Sequence, residues 1–286
     1  MKKIALLLIV GLSIFGTSCK SFLENDIDKV TKQNEQEILD YISKSNLQML
    51  KTDTGLRYLI TQNSFGRNVL DGDEVTYHYT LSLLNGAKID SSSRLKNEPQ
   101  KIFYSPNISP LGFGEAISLL KVGERGTFIL PSNLAFGSRS SATIPANSVL
   151  KLDIEILKFL SEDEIIDNYV KATKIPLTEK TSTGLRFMRT VTTTGVAMKA
   201  GLLATVKYTG YLASNTTTQF DSGQIDVALG DKAVVAGFEE GLLKMKVGEK
   251  AYLVFPSKLG YGATGSGTKI PPYSSLIFIV EIVSAK

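Results

Sequence analysis

The residues best suited to chemistry lie between positions 206 and 282, where aromatic side chains recur beside glycines and an aspartate. This stretch contains no cysteine, no histidine and no glycine-rich loop of the kind that cradles phosphate. The residue types therefore favour an apolar pocket that holds its ligand by packing and a few hydrogen bonds, rather than a nucleophile or a metal. The residues concerned are Tyr208, Phe220, Asp221, Phe238, Tyr261 and Phe278.

The motifs of this stretch have counterparts earlier in the chain. Thr-Gly-Leu-Arg-Tyr at 54–58 is followed 129 residues later by Thr-Gly-Leu-Arg-Phe at 183–187. Lys-Val-Gly-Glu at 121–124 recurs 125 residues later at 246–249. Offsets that drift by a few residues are what loop insertions produce between two copies of one domain, so the sequence predicts a tandem repeat rather than a solenoid of short units.

Each copy is predicted to be rich in strands and to contain one short helix. Residues 203–212 alternate in polarity and are rich in β-branched and aromatic types, which is typical of a strand, and 276–283 is the predicted closing strand. Apolar spacing predicts the helices at 113–120 and 238–245. The expected fold class is α+β, with two tandem domains that are each an antiparallel sheet wrapped on one short helix.

Helical spacing also occurs outside the two domains. Glu-Ile-Leu-Asp at 37–40 resembles Glu-Ile-Ile-Asp at 164–167, and Ser161 followed by acids is a good helix start. The chain is therefore expected to have a helical N-terminal extension and a helical linker. The predicted parts are a signal peptide (1–18), a tether with a short helix (19–50), the first domain (51–160), the helical linker (161–181) and the second domain (182–286).

The N-terminus predicts export and an anchor. Two lysines at 2–3 precede an apolar run at 4–15, then small residues, then Cys19, which is the only cysteine in the chain. This pattern resembles a bacterial lipobox, although Gly16 stands where an aliphatic residue is usual. We expect lipidation at Cys19 and attachment to the cell envelope, on the periplasmic or surface face of an outer membrane. The alternative is an ordinary signal peptide. The net charge of +4 is too small to indicate a nucleic-acid partner.

Seven motifs of the second copy, in their order and spacing, resemble the FK506-binding-protein (FKBP) type of peptidyl-prolyl cis-trans isomerase. They are Val-x-Tyr-Thr-Gly, Phe-Asp-Ser, Gly-Phe-Glu-Glu-Gly-Leu, Met-x-Val-Gly-Glu, Tyr-Gly-Ala, Ile-Pro-Pro and Leu-Ile-Phe-x-Val-Glu-Ile. The resemblance implies no cofactor and no metal. It implies proline-containing unfolded or partly folded polypeptides as partners, and macrolides of the FK506 type as further ligands.

The resemblance also implies which residues form the proline pocket. Phe238 stands where many family members have a tryptophan floor, Ile225 departs from an aromatic wall position, and Val235 contributes its backbone N–H. Taken singly, each aromatic could equally be core, and Asp221 could be a turn residue. The implied catalytic positions are Tyr208, Phe220, Asp221, Val235, Phe238, Tyr261, Ile270 and Phe278, with Val234 and Ile225 as substrate-binding positions.

The first copy departs from this pattern while keeping a tyrosine, an aspartate and the floor phenylalanine (Tyr79, Asp90 and Phe113). Pro110 aligns with Val235 and has no N–H to offer. The sequence therefore predicts a retained fold with weak or lost activity. The lone histidine, His78, is expected to face solvent opposite Tyr79. The other departures are Ile89, Gln100, Ile102, Ser109, Phe136 and Leu152.

The function predicted from these observations is isomerisation of X–Pro bonds during the folding of exported proteins, carried out by the second domain. Its pocket would desolvate and twist the amide. Two alternatives remain at this point: a non-catalytic chaperone or envelope binding module for unfolded or proline-rich chains, and a purely structural tandem.

Overall fold

A computed structural model describes residues 18–173 and 179–286, with side chains described from residue 26 onwards. The predicted signal peptide therefore lies outside the described residues except for Ser18, and so does the side chain of Cys19. Within the described ranges, no helix is both long enough and apolar enough to span a membrane.

Helices and strands follow the predicted order in both halves. The first half contains α1 (Ser18–Lys44), β1 (Leu50–Lys51), β2 (Arg57–Gln62), β3 (Glu74–Leu83), β4 (Lys88–Ser91), β5 (Gln100–Phe103), α2 (Leu111–Ser118), β6 (Arg125–Leu130) and β7 (Leu150–Leu160). The second half contains α3 (Glu162–Thr173), β8 (Glu179–Lys180), β9 (Arg186–Val191), β10 (Leu203–Leu212), β11 (Asn215–Ala228), α4 (Ala236–Leu242), β12 (Lys250–Phe255) and β13 (Leu276–Ala285). A short 3-10 turn follows β6 and another follows β12.

The two sheets share one antiparallel topology, which confirms the predicted α+β fold with two tandem domains. The first sheet has the order β1-β2-β6-β7-β3-β4, with β5 also paired to β3. The second has the matching order β8-β9-β12-β13-β10-β11. In the registers, Leu81 faces Leu152 across β3 and β7, and Gly210 faces Phe278 across β10 and β13. The strands that carry the pocket residues are therefore equivalent in the two domains.

Each sheet packs on its own short helix around a separate apolar core. In the second domain, Phe238 and Leu242 of α4 are buried among side chains of β10, β12 and β13. In the first domain, Ala116 and Ile117 of α2 occupy the corresponding position. Both helices begin two residues earlier than predicted, at Leu111 and Ala236, because the preceding Pro110 and Val235 act as N-caps without a side-chain hydrogen bond that the sequence could announce.

A further helix docks on the outer face of each sheet. Ile38 of α1 packs on the first sheet, and Ile166 of α3 packs on the second. A buried arginine pairs with each helix: Arg57 with Glu35, and Arg186 with Asp163. These pairs set the structural offset of the helices at 128 residues, so the equivalence of Glu37 with Glu164 suggested by the sequence motif is wrong by one residue. The helical extension and the helical linker are both confirmed.

Two expectations about the first half are corrected. Residues 19–50 were expected to be a tether with a short helix, but one helix, α1, spans Ser18–Lys44. His78 is buried rather than solvent-facing, because the segment after β4 covers that side of β3. The imidazole Nδ1 lies 2.8 Å from the Ser92 hydroxyl, which gives the buried ring a hydrogen-bond partner.

Candidate active site

A cavity of about 390 Å³ opens beside the helix of the second domain. Three strands and the approach to α4 supply its walls, and Phe238 from α4 forms the floor. Nine of the ten implied pocket residues line it, and Ala233, which the sequence did not single out, completes it. The lining residues are Tyr208, Phe220, Asp221, Ile225, Ala233, Val234, Val235, Phe238, Tyr261 and Phe278.

Ile270 is the implied residue that does not line the cavity. Its side chain is buried in the core of the second domain. Its backbone exchanges two hydrogen bonds with Ser266, of 2.8 and 3.2 Å, which close the loop that follows Tyr261. Ile270 therefore supports the loop beside the cavity and does not contact its contents directly.

Phe278 is the centre of an aromatic cluster that shapes the cavity. Its ring centroid lies 4.9 Å from that of Phe238 and 5.5 Å from that of Phe220, both in edge-to-face geometry. Aromatic pairs at these separations contribute about 0.5–1.5 kcal/mol each beyond burial. The rings of Tyr208 and Phe255 lie 6.1 and 5.8 Å from Phe278 on its other sides. The cavity wall is thus held by mutual ring contacts and is preformed.

Gly210 makes this cluster possible. A Cβ at this position would lie 2.5 Å from Cζ of Phe220 and 3.0 Å from Cε1 of Phe278. Carbon atoms pack at about 3.5–4.0 Å, so any other residue here would displace both rings. The sequence analysis did not single out Gly210, although Leu at the equivalent position 81 of the first copy was the available signal.

Tyr208 and Asp221 are paired inside the cavity. The Tyr208 hydroxyl donates to Oδ2 of Asp221 at 2.7 Å, and the amide of Ser222 donates to Oδ1 at 2.9 Å. This hydrogen bond, together with burial, raises the pKa of Tyr208 to about 12. Tyr208 is therefore neutral at physiological pH, and both oxygens of the carboxylate are engaged. The pair orients polar groups and is not arranged to transfer a proton.

Two hydrogen-bond donors in the cavity are left without partners. Among the described residues, neither the amide of Val235 nor the hydroxyl of Tyr261 has an acceptor. Tyr261 is 38% exposed, so its hydroxyl is accessible from solvent. Over the same described residues there is no cluster of His, Cys, Asp or Glu that could hold a metal ion. The cavity can therefore pack an apolar ring and donate two hydrogen bonds to it or to its neighbours.

The first domain has a smaller cavity of about 240 Å³ in the equivalent place. Pro110 has φ −70° and ψ 147°, nearly the values of −60° and 146° at Val235, so the backbone is equivalent but the N–H is missing. Phe136 lines the cavity where Tyr261 would stand, without the hydroxyl. Both donors of the second cavity are thus absent from the first. Of the two predicted wall residues, Ile102 lines the cavity and Gln100 does not.

Side-chain volume in the first cavity is redistributed. Leu81 occupies the place of Gly210, and Leu152 replaces Phe278 in the same register. Tyr77, which the sequence analysis did not weigh, packs its ring 5.4 Å from that of Phe113 and lines the cavity. Tyr79 still donates a hydrogen bond to Asp90, and burial together with that bond raises the pKa of Tyr79. The floor and the Tyr–Asp pair persist while the aromatic cluster does not.

Comparisons with known proteins agree with this architecture. Rat peptidyl-prolyl cis-trans isomerase FKBP9 is 32% identical over 225 residues, which cover 76% of this chain and 36% of that protein. FkpA of Aeromonas hydrophila, an FKBP-type peptidyl-prolyl cis-trans isomerase, is 34% identical over 132 residues, covering 46% of this chain and 48% of its own. The three FKBP domains of wheat FKBP73 align with a TM-score of 0.40 at 23% identity, covering 84% of this chain and 99% of that one.

The chain spans about a third of the length of the FKBP9 relatives that it matches. The family model described as FKBP-type peptidyl-prolyl cis-trans isomerase matches it twice, at residues 66–157 and 195–283. These segments coincide with the two sheets and their helices. The chain belongs to the FKBP-type peptidyl-prolyl cis-trans isomerase family.

Proposed function

We propose that the second domain catalyses cis–trans isomerisation of X–Pro bonds in unfolded or partly folded polypeptides, and so assists the folding of exported proteins. The observation that carries this proposal is the combination of a preformed aromatic cavity with two unengaged donors, Val235 N–H and Tyr261 O–H. The first domain has the same fold and lacks both donors. Catalysis is therefore assigned to the second domain alone.

The aromatic cavity addresses the physical origin of the barrier. Resonance gives the C–N bond of the amide double-bond character, and rotation about it costs roughly 18–20 kcal/mol. The twisted amide has lost this resonance and has a less polar carbonyl, so water favours the planar form more. Phe220, Phe238 and Phe278 would pack the proline ring and exclude water, which raises the free energy of the planar form relative to the twisted one.

The two donors would hold the flanking chain in the twisted geometry. Val235 N–H and Tyr261 O–H can each accept a substrate carbonyl as partner, and a net hydrogen bond contributes about 0.5–1.5 kcal/mol. A millionfold acceleration needs about 8 kcal/mol in total, so desolvation and orientation must supply the larger part. No covalent intermediate or proton transfer is required. The Tyr208–Asp221 pair would keep the wall polar groups satisfied and fixed.

An isomerisation assay on the full chain tests this assignment. The substrates are an X–Pro peptide and a protein whose refolding is limited by proline isomerisation. Phe220→Ala should reduce kcat/KM strongly, and the matched change Ile89→Ala in the first domain should not. Circular dichroism verifies that both variants are folded. Absence of any rate enhancement by the unaltered chain would contradict the proposal, and so would equal losses in the two variants.

A second function fits the first domain. Its cavity is lined mainly by apolar side chains and lacks donors at the two equivalent positions, which suits holding a chain without turning it over. We therefore propose that the first domain binds unfolded or proline-rich segments as a non-catalytic module. Isomerase-inactive variants of the second domain should still suppress aggregation of an unfolded protein. Loss of this suppression together with activity would assign both functions to the second cavity. A macrolide of the FK506 type should compete at the second cavity and inhibit turnover.

The cell envelope is the proposed location, with lipidation of Cys19 as the anchor. This proposal is supported by the basic, apolar and small-residue order of the first 18 residues. The helix α1 would separate the anchor from the first domain: the 15 residues from Cys19 to Asn34 span about 22 Å at 1.5 Å per residue. Labelling with a radioactive fatty acid should mark the chain, and Cys19→Ala should abolish the label. A labelled Cys19→Ala variant would refute the assignment.

A further inference from the structure

The loop that joins the 3-10 turn after β12 to β13 carries Tyr261 near its start and Tyr273 near its end. Tyr273 has φ +57°, in the left-handed region. A bulky side chain there costs about 1–2 kcal/mol and is uncommon outside strained or functional positions. The surroundings of Tyr273 must therefore compensate for this conformation.

The compensating contacts come from the first domain. The Tyr273 hydroxyl donates to Oδ1 of Asp71 at 2.9 Å. Its ring also covers Gly72, where a Cβ would lie only 3.0 Å from Cδ1 of Tyr273. Gly72 itself has φ +83°, so this position requires glycine for two independent reasons. A phenol ring and a glycine surface of matching shape thus form a contact between the two domains.

The segment that presents Asp71 is braced from behind. Buried Asp73 receives two hydrogen bonds from the Arg67 guanidinium, at 2.5 and 3.0 Å, and a third from the amide of Leu70 at 2.7 Å. A bidentate arginine–carboxylate pair fixes geometry as well as charge. Asp71 is therefore offered to Tyr273 from a rigid turn and not from a loose loop.

The contact leads directly to the catalytic loop. The amide of Tyr273 donates to the carbonyl of Gly262 at 2.9 Å, and Gly262 follows Tyr261 in the chain. The amide of Gly265 donates to the carbonyl of Tyr261 at 3.2 Å. Two hydrogen bonds thus connect Asp71 of the first domain to the residue next to the Tyr261 hydroxyl donor.

The equivalent loop of the first domain is held differently. Asn147 has φ +59° and donates to the Gly137 carbonyl at 2.8 Å, exactly parallel to Tyr273 and Gly262 in bonding pattern. Its carbonyl receives a hydrogen bond of 3.0 Å from the side-chain amide of Asn34 on α1, whose oxygen accepts from the amide of Ser132.

The second domain has Glu162 of α3 in the place of Asn34. Glu162 accepts from the amide and the hydroxyl of Ser257, at 2.5 and 2.7 Å, as Asn34 accepts from Ser132. A carboxylate has no N–H, so it cannot donate to the carbonyl of Tyr273. The inner tether of the loop is therefore missing in the second domain, and the outer contact with Asp71 stands in its place.

We propose that Tyr273 is a positioning residue, through which the first domain holds the loop that carries Tyr261 and so raises turnover in the second cavity. This inference rests on the isomerase function proposed above. It gives the first domain a role in catalysis that needs no substrate in its own cavity. Tyr273 does not line the second cavity and acts only through the loop.

A double-mutant cycle in the full chain tests the inference. Tyr273→Phe and Asp71→Ala should each lower kcat about threefold to tenfold, the range of one net hydrogen bond, with KM nearly unchanged. The double variant should be no slower than either single variant, because both remove the same bond. Asp71→Asn should restore most of the rate, since its amide oxygen can accept from the hydroxyl.

A second cycle separates positioning from a merely structural role. In a Tyr261→Phe background, Tyr273→Phe should cost no further activity, because the hydroxyl to be positioned is already gone. Unchanged kcat in Tyr273→Phe, multiplicative losses with Asp71→Ala, or a further loss in the Tyr261→Phe background would each overturn the inference. An inactive unaltered chain would instead contradict the proposed function, so the two failures are distinguishable.

Discussion

Replacing Gly210 by alanine should disrupt the second cavity from within its wall. Gly210 is buried on β10 opposite Phe278, and the added Cβ would meet Phe220 at 2.5 Å and Phe278 at 3.0 Å. Phe278 cannot retreat, because the neighbouring rings surround it at centroid distances from 4.9 to 6.1 Å. The two rings can yield only toward the cavity that they line.

The expected penalty follows from core packing. Inserting a methyl group into a well-packed core costs about 1–3 kcal/mol, which exceeds the gain of about 0.5–1 kcal/mol that alanine normally brings over glycine in a strand. For a domain of about 100 residues, each kcal/mol lowers Tm by about 4–8 °C. A displaced ring also narrows the cavity, so a comparable loss of about 1.4 kcal/mol, or tenfold in kcat/KM, is expected.

Gly223→Ala provides the matched control on the neighbouring strand. A Cβ at Gly223 would have its nearest neighbour, the Tyr208 ring, at 3.9 Å, which is ordinary contact. Calorimetry and the isomerisation assay on the full chain should therefore show a lower Tm and a lower rate for Gly210→Ala only. If the two variants were equal in both measurements, the account of how the aromatic cluster is shaped would be wrong.

Three further predictions concern the hydrogen bonds and ion pairs. The pKa of Tyr208 is raised to about 12, chiefly by Asp221, whereas an unfolded tyrosine has a pKa of about 10. Because the folded pKa is raised, the stabilisation is complete below pH about 10 and is lost as pH rises from about 10 to 12; Asp221→Ala should remove this loss, as measured by denaturant unfolding at each pH. Val235→Pro should lower kcat/KM about 2- to 10-fold without lowering Tm, because φ at Val235 already suits proline and only the N–H is removed; an unchanged rate would exclude this amide as a substrate donor. Arg186 is buried and bonds two carboxylates of α3 at 2.8 and 3.0 Å, so Arg186→Ala should destabilise the second domain by about 1–3 kcal/mol in denaturant unfolding, and an unaltered midpoint would show that α3 docks by apolar contacts alone.

Much of the fold could be predicted because the chain repeats itself. Strands such as 203–212 alternate cleanly, and their bounds agree with β10 to the residue. The short helices were misplaced by two residues because Pro110 and Val235 begin them without a capping side chain. His78 was misassigned because strand alternation says which residues share a face, but not which segment covers that face.

The site was predictable where residues act by type and was not where they act by absence or by tertiary contact. Aromatic side chains of the cavity stand out in sequence, whereas Gly210 contributes by lacking a side chain. Ile270 matches its motif yet supports the loop from the core. Tyr273 follows two prolines and looks like a loop residue; its left-handed conformation and its bond to Asp71 depend on the second copy meeting the first. Contacts of that kind have no local signature.

The central claim is that turnover belongs to the second cavity while the first has lost it. The most direct measurement compares kcat/KM for an X–Pro peptide between two full-length variants, Phe238→Ala and Phe113→Ala, which remove the equivalent floor residue from each cavity in turn. The account predicts near-complete loss with Phe238→Ala and an almost unaltered rate with Phe113→Ala, both variants being folded by circular dichroism. A large loss with Phe113→Ala and a retained rate with Phe238→Ala would place catalysis in the first domain and contradict the account.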